Sequence, residues 1–370
     1  MGKSCGIHVG RAVGVALRAA ASGIAMTVAL VTTAAAQTPA SSAAATGAAC
    51  ATAPAPAQRE QACAAMLKAG TLQPKDAALT HYFRGFALRD LKQDDTALAE
   101  FSEAAKLDPD LWPASWVRAE LLSERRYYDK AAATWAQVIA RNPDLASLYD
   151  HRGDAFDNQG RRAEAVADYT KAIELARPKD PIARFYMNRA VSYEGDRQWE
   201  KALADYSEAI KRDDHLARAY FGRGRVEFLR GDMSVAAADL TKAFESDPAD
   251  YYPLLWLFLA KSHGGKDAAV DLRRRASQLD LAKWPGPILR VYLGDLAPEQ
   301  VKQPKQSQAW TEAEQKAGSD CELSFYLGEL RLAKGDRGRA LALFKAALDT
   351  GIHEFIEYAA ASYELERTAR

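Results

Sequence analysis

The chain has 370 residues, with 49 basic and 49 acidic side chains, 48% hydrophobic residues and four cysteines. Charge this balanced, with no long basic stretch, excludes the electrostatic footprint of a nucleic-acid or anionic-membrane binder. The length would suit two or three ordinary domains, unless the sequence repeats itself.

Residues 1–36 read as a signal peptide. Lys3, Arg11 and Arg18 make a positive start, Ala19 to Val31 is mostly small and apolar, and Ala34-Ala35-Ala36 precedes Gln37 as a small-residue cleavage site. The run is too short and alanine-rich to span a bilayer, so the mature chain is expected to carry no transmembrane segment. Its removal leaves 46 basic against 49 acidic side chains. Residues 37–57, rich in Ala, Pro, Ser and Thr, read as a flexible leader. Gly47-Ala48-Ala49-Cys50 matches a lipidation site only in its last three residues and lies well past the apolar run. That favours a soluble periplasmic protein over an outer-membrane lipoprotein. Export favours disulfides, and Cys50 and Cys63 are close enough to staple the leader onto the first helix. Cys321 reads as a small buried hydrophobe, although the odd number of cysteines left in the mature chain keeps another pairing open.

Residues 58–250 carry an internal repeat, with five regular units starting near residue 78. RGFALRDLKQDDTALAEF begins at Arg84, RAELLSERRYYDKAAATW at Arg118, RGDAFDNQGRRAEAVADY at Arg152, RAVSYEGDRQWEKALADY at Arg189 and RGRVEFLRGDMSVAAADL at Arg223. The steps between these arginines are 34, 34, 37 and 34 residues, the longer one holding the loop Arg177–Pro181. Each unit shows an arginine followed by a small residue, then an alanine early in the second helix and a large residue four positions on. Small residues let two helices approach closely, and large ones fill the gap between pairs. The pattern resembles the tetratricopeptide repeat, a helix–turn–helix of 34 residues. That likeness implies an all-α fold, a right-handed α-α superhelix whose first helices line a concave groove.

An arginine on a packing face needs an answering charge. Sixteen residues after each stands Glu100, Thr134, Asp168, Asp205 or Asp239. In two looser units farther on the same positions hold Trp256 with Leu272 and Leu327 with Leu343, an apolar pair in place of an ion pair. The spacing predicts structural salt bridges Arg84–Glu100, Arg152–Asp168, Arg189–Asp205 and Arg223–Asp239, rather than a row of ligand-binding charges.

Residues 251–320 read as a degenerate repeat followed by short helices, with breaks at Gly264-Gly265, Pro285 and Pro287. Residues 321–370 read as a final repeat and an amphipathic helix capping the stack. Five histidines after the signal peptide are scattered and show no metal-ligand spacing, and neither a nucleophile elbow nor a phosphate loop is present. No catalytic residue, metal or cofactor is expected, and the chain reads as a non-enzyme.

Steps of 100° along each first helix select the residues opposite the packing face. They are Tyr82 and Phe86 in the first unit, Trp116 and Glu120 in the second, and Asp150, Asp154 and Asp157 in the third. The fourth adds Arg184 and Asn188, and the fifth Arg218, Phe221, Arg225 and Phe228. Aromatics and arginines are enriched at binding hot spots, and the four donors Arg184, Asn188, Arg218 and Arg225 would suit a peptide carboxylate. The expectation is a protein- or peptide-binding groove.

KWPGPILRVYLGD and CELSFYLGELRLAKGDRGRALALFKAALDTGIHEFIEYAAASYELE, within Tyr251–Glu366, resemble the end of the bacterial new lipoprotein I family. That resemblance implies a non-enzymatic periplasmic adaptor, a homodimer, and partners such as a processing protease or a peptidoglycan hydrolase. The alternative function is a scaffold subunit of an envelope export or polysaccharide assembly system, since one fold serves many partners.

Overall fold

The computed structural model describes residues 50–264, 268–302, 311–353 and 355–369. The expected signal peptide, most of the leader, and Gly265 lie outside them. Among the described residues every regular element is helical, and no helix is long and apolar enough to cross a membrane. The chain divides after Leu175 into two compact units, inside the run of repeats.

The first unit holds α1 (Pro56–Ala69), α2 (Pro74–Asp90), α3 (Asp94–Leu107), α4 (Trp112–Glu124), α5 (Tyr128–Arg141), α6 (Ala146–Asp157) and α7 (Arg162–Leu175). Proline at the first turn of α1, α2 and α4 costs no hydrogen bond there and presets the backbone. A disulfide joins Cys50 to Cys63 of α1. The second unit holds α8 (Ile182–Gly195), α9 (Trp199–Arg212), α10 (Ala217–Arg230), α11 (Met233–Ser246), α12 (Tyr252–His263), α13 (Ala268–Ala276), α14 (Gly286–Tyr292), a 3-10 turn at Pro298–Gln300, α15 (Glu312–Ala333), α16 (Arg337–Asp349) and α17 (Ile356–Ala369). Its core centres on α12, buried on every side from Tyr252 to Ala260, as expected of a helix apolar all round.

The small residue after each arginine has a steric role. A Cβ placed on Gly85 or Gly153 would lie 2.6 or 2.7 Å from the ring of Phe101 or Tyr169, and one on Gly224 2.9 Å from Leu240; Gly328, after Leu327, meets Phe344 at 2.6 Å in the same way. The helices of a pair meet there. The turn between them is equally regular: residues 92, 126, 160, 197, 231 and 335 all have positive φ. The next amide donates back to a carbonyl five residues earlier, as in Gln93 to Leu88 and Asp232 to Glu227, both at 2.9 Å. This is the left-handed helix stop in which a carbonyl at the helix end gains a donor.

The last long pair departs from the sequence expectation. Its first helix was expected from Cys321, but α15 opens at Glu312. Thr311 and Glu314 form a reciprocal cap there: the Glu314 amide donates to Thr311 Oγ1 at 3.2 Å, and the Thr311 amide to Glu314 Oε2 at 2.8 Å. A capping box satisfies two amides that would otherwise end the helix sooner. Cys321 lies buried in mid-helix.

Candidate functional site

The sixteen-residue spacing brings four charge pairs into contact. Arg152 donates from Nε and Nη2 to Asp168 at 2.7 Å each, Arg189 to Asp205 at 2.7 and 2.9 Å, and Arg223 to Asp239 at 2.7 and 2.8 Å. Hydrogen bonding to the aspartates, working against burial, raises all three guanidinium pKa values. Arg84 uses one arm for Glu100 at 2.8 Å and two donors for Glu60 of α1. Trp256 and Leu272 share one apolar cluster. The charged pairs are cross-ties between helices, with 17 to 25% of each arginine side chain exposed.

In the first unit, α2 and α4 build an aromatic face. Tyr82 and Phe86 meet edge to face at 4.9 Å over Phe101, and Trp116 joins the same cluster. Trp116 also abuts Trp135 at 5.2 Å and His151 at 5.4 Å. Tyr82, Phe86, Trp116 and Glu120 are all half-buried. Glu120 stands at the edge of these rings with its Oε1 buried and without a hydrogen-bond partner. Burial pushes its carboxyl pKa up, and Trp116 and Arg89 only partly offset that. Burial and the Glu120 charge in turn raise the Tyr82 phenol.

On α6 the expected acidic row is only partly at the surface. Asp154 and Asp157 are half-buried, but Asp150 is fully buried, which corrects its assignment to the groove. Asp154 accepts the Tyr169 hydroxyl at 2.8 Å. Asp150, His151 and Asp154 bring one donor atom each within 4.8 Å of one another, a grouping that sequence spacing did not single out. His151 stacks on Trp135 at 4.9 Å, so two of the three already serve the fold.

The second unit overturns most of the expected basic patch. Asn188, Phe221, Arg225 and Phe228 are buried, while Arg184 and Arg218 are half-buried. Arg225 is spent on Glu194, with bonds of 2.9 to 3.2 Å, under the Phe221 ring. Phe228 packs edge-on against Trp256 and His263. Of the four donors expected for a peptide carboxylate, Asn188 and Arg225 are buried, and Arg184 and Arg218 keep partial exposure. Helical steps identify a face, but they do not show that later parts of the chain return to cover it. Here α12 and α17 do so.

Sequence reasoning also missed four buried carboxyls. Glu322 and Glu329 lie one heptad apart on α15, and Glu357 and Glu364 one heptad apart on α17. The signal was present: residues 357, 361, 364 and 368 form one stripe, with acids at two of its places.

Tetratricopeptide-repeat family profiles match residues 146–179 and 187–251. Among solved structures, the chain is similar to a tetratricopeptide repeat protein from Parabacteroides merdae, at 14% identity and a TM-score of 0.51, over 79% of this chain and 99% of that one. It is also similar to PilW, a widely conserved type IV pilus biogenesis factor, at 21% identity and a TM-score of 0.46, over 55% of this chain and 95% of that one. A third is YrrB, a tetratricopeptide protein with an unusual peptide-binding site, at 16% identity and a TM-score of 0.42, over 53% and 97%. Residues 146–179 and 187–251 are therefore tetratricopeptide repeats, and the chain has the all-α fold of a tetratricopeptide solenoid.

Proposed function

We propose that the chain is a protein-binding adaptor without chemistry of its own, and that the aromatic face of its first unit seats a basic side chain of the partner. Tetratricopeptide repeats mediate protein–protein interaction. The observation that carries the specific reading is Glu120: a half-buried carboxylate at the edge of Tyr82, Phe86 and Trp116, with one oxygen lacking any donor. A partner lysine or arginine pairs with the accessible part of this carboxyl, answers the charge that its buried oxygen leaves unmet, and lies against ring faces, a combination strongest where water is partly excluded.

Periplasmic residence is part of the proposal. The Cys50–Cys63 disulfide and the signal-like start support it. The C-terminal likeness to the new lipoprotein I family makes a processing protease or a peptidoglycan hydrolase the partner class to look for.

The test is affinity capture from envelope extract, with captured proteins quantified by mass spectrometry. Glu120→Lys is expected to cut capture about tenfold, as loss of one buried charge pair implies, and Trp116→Ala to do likewise. Capture unchanged in both variants, with helicity intact, rejects this site. Co-purification with an export or polysaccharide assembly instead of a protease or hydrolase would replace the partner class and leave the site standing.

A further inference from the structure

The last helix does more than close the stack. α17 lies against α15 and α16 and reaches α10. It also reaches the turn between α8 and α9. Arg197 there clasps Glu366 at 2.7 and 3.1 Å and reaches Ser362 at 3.1 Å, while Trp199 meets Tyr363 edge-on. At its far end the Arg337 side chain donates to the Thr368 carbonyl. The first-helix face of the second unit is thus covered in part by α17, next to Arg225, and in part by α12, which packs on Phe228.

What holds α17 there is unusual. The seat contains Glu357 and Glu364 of α17 and Glu322 and Glu329 of α15, none more than 2% exposed. Their partners are mostly neutral. Glu322 accepts the Tyr252 hydroxyl at 2.9 Å and the Trp284 indole. Glu357 accepts the Tyr326 hydroxyl at 2.8 Å. Glu329 meets His263 Nε2 at 3.0 Å, and its other oxygen is buried without a partner. Only Glu364 has a guanidinium of its own, Arg367 of the same helix. Arg225, whose charge reaches Glu357, is bound to Glu194, and Arg218 acts on the neighbouring Asp250. The same interior also holds the Tyr292 phenol and the Cys321 thiol, and half-buried Asp250 acts on Glu357. Acids outnumber cations, so the seat is neutral only while some carboxyls keep their protons.

We propose that α17 is a proton-held strap: it lies on the first-helix face of the second unit while its buried carboxyls are protonated, and lifts from that face as they ionise.

The direction follows from linkage. Burial pushes Glu322 and Glu357 upward, each with a nearby acid adding to it, and pushes Glu364 up to about 7 and Asp250 up to about 6. A carboxyl whose folded pKa is raised binds more protons when docked than when released. Its contribution is complete below the ordinary carboxylate range and is lost as pH rises through the folded value. The strap therefore opens on the alkaline side and stays shut in mild acid. As a regulator of partner binding it rests on the protein-binding reading above. The lifting itself does not, and it is what the experiment reads.

Cys321 supplies the probe. It is a buried free thiol on α15, close enough to Glu357 to feel its charge, and burial pushes it up to about 12. Alkylation of Cys321 in the full chain is followed by peptide-resolved mass spectrometry, with rates normalised to a free thiol at each pH. Between about pH 6 and about pH 9 the normalised rate is expected to rise tenfold or more, with nearly all helical circular dichroism retained. In Glu357→Gln/Glu364→Gln, whose amides stay neutral, the rise is expected to shrink to about twofold. Equal protection of Cys321 across the range, equal release in the amide variant, or cooperative loss of all helicity would each overturn the proposal. Should the double variant fail to fold at about pH 6, Glu364→Gln alone is read by the same criteria.

Discussion

At the scale of single residues, the repeated charge pair is decided by what stands sixteen positions on. Arg152 is 22% exposed and Asp168 only 8%, so removing the acid leaves a partly wetted cation. Asp168→Ala is expected to cost about 2 kcal/mol, below the cost of breaking a fully buried pair, and a urea midpoint measures it. Arg118 is the exception that tests the rule. Thr134, 2% exposed, stands opposite and gives its hydroxyl to the Lys130 carbonyl, and burial lowers the Arg118 pKa. Restoring the missing carboxylate with Thr134→Asp is expected to raise stability by about 1 kcal/mol, seen as a higher melting temperature. No gain would mean that Arg118 is already solvated well enough.

At the scale of elements, one turn recurs six times with one backbone conformation. Three of its left-handed positions are glycine, and three are Lys92, Arg126 and Arg197, with φ of 64°, 63° and 57°. A side chain there crowds its own carbonyl. Lys92 is exposed, so Lys92→Gly is expected to stabilise by about 0.5 to 1 kcal/mol after the entropy that glycine adds to the unfolded chain. Chemical denaturation checks it. Arg197 is a different case, because its side chain clasps Glu366, and glycine there would relieve the turn but release the end of α17.

At the scale of the molecule, the two units use their first helices differently. The first keeps Tyr82, Phe86, Trp116 and Glu120 half-exposed. The second buries Asn188, Phe221, Arg225 and Phe228. Similar positions in a shared repeat thus have opposite fates, and the difference lies in sequence beyond the five regular repeats: the apolar α12 and the returning α17. A variant that disturbs Arg225 would not probe a binding groove. It would leave Glu194, 12% exposed, with the Tyr206 hydroxyl in place of its cation.

Much of this protein was legible without coordinates, because a repeat is a short-range object. Arginine, small residue, alanine and aromatic recur at distances fixed by helix pitch and one turn, so the pairings of Arg152 with Asp168 and of Gly153 with Tyr169 follow from spacing alone. Exposure is not short-range. Whether Phe228 faces water depends on Trp256 and His263 of α12, and whether Glu357 stays buried depends on Tyr326 of α15. Local periodicity determines which helices form and which of their faces meet; only the return of the chain upon itself decides which remaining faces stay open, because burial is set by residues distant in sequence.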